Sequence, residues 1–131
     1  MLKLYTDAAN RETDGLSAAG ILIVNGAKTI ELRQPLPNSD NHAAEFRAAA
    51  AGLQALLDHG YAGQNVQLIS DSQALIDALN KDYSKQYAEL LTPIVALANH
   101  FPMVIPTWQS ERSNRRAHDL ATSELRRREE G

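Results

Sequence analysis

The sequence predicts a single mixed-sheet α/β domain with elements in the order β-β-β-α-β-α-α-β-α. Three observations predict it. The first 33 residues hold three apolar, β-branched runs, two of them joined at Asn25-Gly26. At Asn41 the apolar period changes from two to that of a helix. Beyond that helix, strand and helix patterns alternate, as βαβ units require.

Residues 2–8 (Leu-Lys-Leu-Tyr-Thr-Asp-Ala) read as the first strand, and 9–16, with Asn10, Asp14 and Gly15, as a turn. Residues 17–24 and 27–33 read as the second and third strands. Asn25-Gly26 between them suits a hairpin whose two turn positions take positive φ. Pro35 and Pro37 then end the sheet edge. From Asn41, apolar residues fall at Phe46, Ala49, Ala50, Leu53, Leu56 and Leu57, a helical series that Asp40 or Asn41 can cap and Gly60 can stop. Its alanines and Gly52 would let it lie close to a sheet. Residues 65–70 form the fourth strand, 72–80 and 84–99 two helices, and 102–108 a fifth strand bounded or bent by Pro102 and Pro106. The last helix runs from near Ser113 to about Arg128. Trp108, near Phe101, is expected in the core.

The 131 residues suit one domain, spanning 1–131, with one core. No apolar stretch approaches the roughly 18 residues of a membrane span, and the amino terminus lacks a signal-peptide layout. The absence of cysteine excludes disulfides and thiolate metal sites, and a cytoplasmic location is expected. The net charge of −3 is unlike that of proteins that grip long nucleic acid by neutralising its backbone, so a polyanion would be held locally and weakly. Arginines nevertheless gather near the carboxyl end, at 112, 115, 116, 126, 127 and 128. The run 126–128 reads as a solvated helix end that suits the dipole.

The chemistry lies in three acids. The first and fourth strands each deliver a hydroxyl residue and then a carboxylate, Thr6-Asp7 and Ser70-Asp71. If these strands are parallel neighbours, both acids reach one rim of the sheet, where Glu45 of the first helix can join them. Three converging carboxylates repel one another unless a multivalent cation lies among them. Divalent-metal chemistry is therefore expected. Each acid alone has a plainer reading, as a turn residue or a favourable helix-start charge. His59 and His100 sit at helix ends and His42 near a helix start, with no chemistry assigned.

Four segments in this order, Tyr5-Thr6-Asp7, Asn41-His42-Ala43-Ala44-Glu45, Ser70-Asp71-Ser72-Gln73 and Asn114-Arg115-Arg116-Ala117-His118-Asp119-Leu120-Ala121, resemble the type 1 ribonuclease H family over essentially the whole chain. The resemblance implies a ribonuclease H-like fold, a five-stranded mixed sheet flanked by helices. It also implies an endoribonuclease that hydrolyses the RNA strand of RNA–DNA hybrids with two Mg2+ or Mn2+ ions. Asp7 would bridge both ions, Glu45 and Asp71 would each complete one side, and the last helix would add a fourth ligand. There the family's usual aspartate aligns with His118, as in a branch of the family written Asn-x-x-Ala-His-x-Leu-Ala. Helical geometry also favours His118, which borders the face of Ala117, Leu120, Ala121 and Leu125, whereas Asp119 points nearly opposite, beside Arg115, Ser123 and Arg126. Imidazole suits manganese better than magnesium, so Mn2+ is the favoured ion.

The resemblance also places Asn41 and Gln73 against the minor groove and the RNA 2′-hydroxyl, with Ser72 near a phosphate. Asn41 and Gln73 have capping as the alternative. His42 replaces a second asparagine. The basic insertion and the histidine loop of some members are absent, since 81–88 holds only Lys81 and Lys85 as bases and 109–113 holds no histidine. No obligate protein partner is evident. Two further readings stay open: a weakly active or inactive nucleic-acid-binding domain, and a nuclease of the same fold with another substrate.

Overall fold

A computed structural model describes residues 1–131. The elements follow the expected order: β1 Leu2–Asn10, β2 Ser17–Asn25, β3 Lys28–Leu36, α1 Asn41–Asp58, β4 Val66–Ser70, α2 Gln73–Lys81, α3 Ala88–Ala98, β5 Val104–Trp108 and α4 Arg115–Glu130. The five strands form one sheet in the order β3-β2-β1-β4-β5. β1 pairs antiparallel with β2, and β2 with β3. β4 lies parallel to both β1 and β5. β1 and β4 therefore run the same way with Tyr5 level with Ile69, so Asp7, inside β1, comes beside the end of β4 while β1 continues to Asn10. No helix is long and apolar enough to cross a membrane.

The two faces of the sheet are built differently. Leu2, Leu4, Ile21 and Ile23 point toward α1 and α3, where Phe46, Leu53, Leu56, Leu91 and Ile94 complete the main core. On the other face, which carries Ala9, Ala18 and Gly20, α4 packs through Ala117, Leu120 and Ala121. Gly20 makes that approach possible. A β-carbon at Gly20 would lie 2.0 Å from the Ala117 carbonyl oxygen and 2.5 Å from the Ala121 nitrogen. On the α1 side, a β-carbon at Gly52 would come within 2.6 Å of the Thr6 methyl, the close approach that its small residue predicts.

Several boundaries differ from the sequence reading. Asn25 pairs with Lys28, so the hairpin turn is Gly26-Ala27, one residue later than expected, and only Gly26 takes positive φ, 61°. That is the turn pattern with glycine at the first central position. β3 continues through Pro35 to Leu36 because it is an edge strand, where a missing backbone donor costs no ladder bond. α3 begins at Ala88 rather than 84, after a turn in which the Tyr87 amide donates to Ser84 Oγ at 2.9 Å. α4 begins at Arg115.

Two expectations about side chains fail. Trp108 is not core: it ends an edge strand and stays 47% exposed. The arginine run is not simply solvated. Arg127 reaches back to the buried Glu124 at 2.6 Å, and Arg128 bonds the Ser17 and Leu36 carbonyls, the latter at 2.8 Å. The Arg128 bonds pin the end of α4 to the sheet, and the Arg127 pair lies within the helix.

Candidate active site

Asp7 lies in β1, opposite Gly20 of β2. Directly opposed residues of an antiparallel pair share a face, so Asp7 points to the side on which α4 packs. Asp71 follows the last residue of β4, beside the same rim. Glu45 belongs to the second turn of α1, whose start is set by Asp40: its Oδ1 accepts the Ala43 amide at 2.8 Å. A carboxylate oxygen from each of Asp7, Glu45 and Asp71 lies within 4.8 Å of the other two.

The cluster is strained as it stands. Burial first, then the nearby Asp71 charge, pushes the Asp7 carboxyl from 3.8 up to about 7. Burial, then Asp7 and Asp71, raises Glu45 well above the ordinary glutamate value. Glu45 Oε1 is buried and accepts no hydrogen bond. An orphaned carboxylate oxygen among two other acids lacks a positive partner, and hard oxygen ligands suit a divalent cation. These residues fit such an ion.

His118 stands beside the cluster. Its Nδ1 lies 3.0 Å from Asp7 Oδ2 and its Nε2 3.6 Å from Glu111 Oε1, and its side chain is partly buried. Asp119 is exposed and lines a groove on the outer side of α4 with Arg115, Ser123 and Arg126, the neighbours that helical geometry predicts for it. That groove also reaches His118. One contributor carried no assigned role in the sequence reading. Asn114, fully enclosed just before α4, donates from Nδ2 to the Thr6 carbonyl at 2.9 Å. This bond ties the start of α4 to the residue before Asp7.

The residues expected at the substrate are arranged at helix starts. Asp40 and Ser72 do the capping, Ser72 Oγ accepting the Leu75 amide at 3.2 Å. Asn41 and Gln73 are therefore free of that duty and exposed. Gln73 Nε2 donates to Asp77 at 2.9 Å. His42 lies beside Tyr87, with ring centroids 6.1 Å apart, and His59 Nδ1 lies 2.8 Å from the Ala55 carbonyl at the end of α1.

This sheet order, with the acids on the rim between β1 and β4, is that of the ribonuclease H class of nucleases. A family profile described as "Reverse transcriptase-like" matches residues 5–124, and the chain belongs to that family of ribonuclease H-like domains. EbsB of Enterococcus faecalis is 31% identical over 129 residues, covering 97% of this chain and 96% of that protein. The protein named Ribonuclease H from Erythrobacter litoralis is 31% identical over 80 residues, 61% of this chain. The chain matches 53% of that protein's length, about half. Among solved structures, LC11-RNase H1 in complex with an RNA/DNA hybrid superposes with a TM-score of 0.84 at 20% identity, over 94% of this chain and 95% of that one, a likeness of fold.

Proposed function

We propose that this protein is an endoribonuclease that hydrolyses the RNA strand of RNA–DNA hybrids, using divalent ions held by Asp7, Glu45, Asp71 and His118. The observation that carries this reading is the convergence of three carboxylates within 4.8 Å, one of them with a buried oxygen that has no partner. Relatives named ribonuclease H and the hybrid-bound structural neighbour support the substrate class.

Two ions in such a site would neutralise the charge that gathers on the attacking and leaving oxygens of a phosphodiester. The protein's own part is placement. Asp7, at the centre of the acids, presents one carboxylate while His118 holds its Oδ2 from the α4 side at 3.0 Å. Asn114 and Gly20 keep α4 against β1 and β2, so the imidazole cannot drift from Asp7. Asn41 and Gln73, free of capping, offer amides that both donate and accept, as a 2′-hydroxyl and base edges require. Ser72 holds the start of α2 beside Asp71, where outward amides favour a phosphate.

The test is a labelled RNA–DNA duplex incubated with the purified protein and manganese. Cleavage confined to the RNA strand, lost by at least about a thousandfold in Asp7→Asn, is expected. Undiminished cleavage by that variant, or equal cleavage of the DNA strand, contradicts the reading.

A further inference from the structure

A large aromatic side chain stands beside the acids. Trp108 is the last residue of β5, in register with Ser70, the residue before Asp71. Its indole Nε1 donates to the Asp71 carbonyl at 3.0 Å. The polar edge of the ring is thus fixed to the backbone that carries a cluster carboxylate. Yet the residue stays 47% exposed, whereas Phe46, Tyr61 and Phe101 are buried. A tethered indole with an open surface loses little freedom on stacking, and its surface is apolar and π-rich.

We propose that Trp108 is a platform for an unpaired nucleobase next to the phosphodiester held at the acid cluster, so that the preferred substrate is a hybrid ending in a single-stranded RNA segment beside the cleavage site. The inference rests on the reading that the cluster receives a nucleic-acid phosphodiester. The choice of ligand follows from position and chemistry. A nucleobase is the flat, π-faced group carried by the sugar next to every backbone phosphate that would reach Asp71. Bases inside a duplex already stack on one another, so away from a duplex end an unpaired base is the one that can offer its face to a side chain. The segment 81–88 brings only Lys81 and Lys85 as bases, and the chain carries a net charge of −3, so backbone neutralisation contributes little grip on a long duplex. Stacking on one aromatic residue supplies affinity that needs no positive charge.

The experiment compares three probes under steady-state cleavage in magnesium: a blunt 12-base-pair RNA–DNA hybrid, the same hybrid with a four-nucleotide RNA extension, and the extended hybrid with abasic residues in the extension. The wild-type protein is expected to show a KM about tenfold lower for the extended probe than for the blunt one, with no gain from the abasic extension. Trp108→Ala is expected to lose that gain while its KM for the blunt probe stays within about twofold, and Trp108→Phe to keep part of it. Equal KM values for blunt and extended probes, a gain that survives in Trp108→Ala, or an equal gain from the abasic extension would overturn the proposal.

Trp108 is the only tryptophan in the chain, so its emission gives a second, independent readout. The extended probe is expected to quench it in the wild-type protein, and the abasic one to leave it unchanged. If no probe is cut, the catalytic reading fails, and quenching by the extended probe alone still upholds the platform. Absence of quenching at saturating extended probe overturns it. If cutting is normal and independent of Trp108, the platform fails and the catalytic reading stands.

Discussion

At the scale of single residues, the acid cluster trades stability for a place to hold positive charge. Asp7 has a raised value of about 7 in the folded protein against 3.8 for the ordinary group, chiefly through burial and then Asp71. Between those values the folded chain keeps a proton that the unfolded chain has released, so stability falls as pH rises from about 4 to about 7 and levels off above. With metal removed by chelator, thermal melts across this range should show that decline. Asp7→Asn should make it shallower, with the buried Glu45 supplying what remains, and leave the variant more stable at pH 8, by up to about 4 kcal/mol. A decline of the same size in Asp7→Asn would show that Asp7 is not its source. His118 carries a separate prediction. Imidazole beside Asp7 favours manganese, so the wild-type rate at saturating ion should be higher in manganese than in magnesium. His118→Asp should raise the magnesium-supported rate relative to manganese. Equal or faster wild-type cleavage in magnesium would contradict the ligand role of the imidazole.

At the scale of elements, the site depends on two helices held unusually close to the sheet. Gly20→Ala would force a methyl against the backbone of α4, 2.0 Å from the Ala117 oxygen, and neither chain can yield without moving the helix. A loss of about 3 kcal/mol or more in denaturant unfolding is expected, together with loss of cleavage as His118 leaves Asp7. Gly52→Ala meets the Thr6 methyl at 2.6 Å, a side-chain atom and not backbone, and gains about 1 kcal/mol of helix propensity. Its cost should be clearly smaller. Equal costs for the two variants would mean that α4 is not so tightly seated. The sequence discloses these elements unevenly. The order of strands and helices is legible because the apolar period changes at Asn41 and turn residues mark the joins. The role of Gly20 is not, because it arises from a helix almost one hundred residues further along the chain. The hairpin slips by one residue because Asn25-Gly26 and Gly26-Ala27 are both workable turns, and the strand register decides between them.

At the scale of the whole molecule, parallel pairing of β1 with β4 does most to build the site. It delivers Asp7 and Asp71 to one rim, and the crossover through α1 brings Glu45 over them. This convergence is readable from the sequence, since strand ends and helix starts are where βαβ topology gathers polar groups. What surrounds it is less readable. Trp108 sits on a short strand with Pro106 in its middle, and an apolar run does not by itself reveal that Trp108 stays exposed at a sheet edge. Asn114 shows its purpose only when Thr6 is seen beside it.

On this reading Asp7, Glu45 and Asp71 form one centre for hard cations. Anomalous scattering from crystals soaked in manganese tests it most directly. Two manganese peaks among those carboxylates, with His118 reaching one of them and Asp119 reaching neither, is the predicted result. No peak at the cluster under saturating manganese, or ions bound only elsewhere on the surface, would contradict the account.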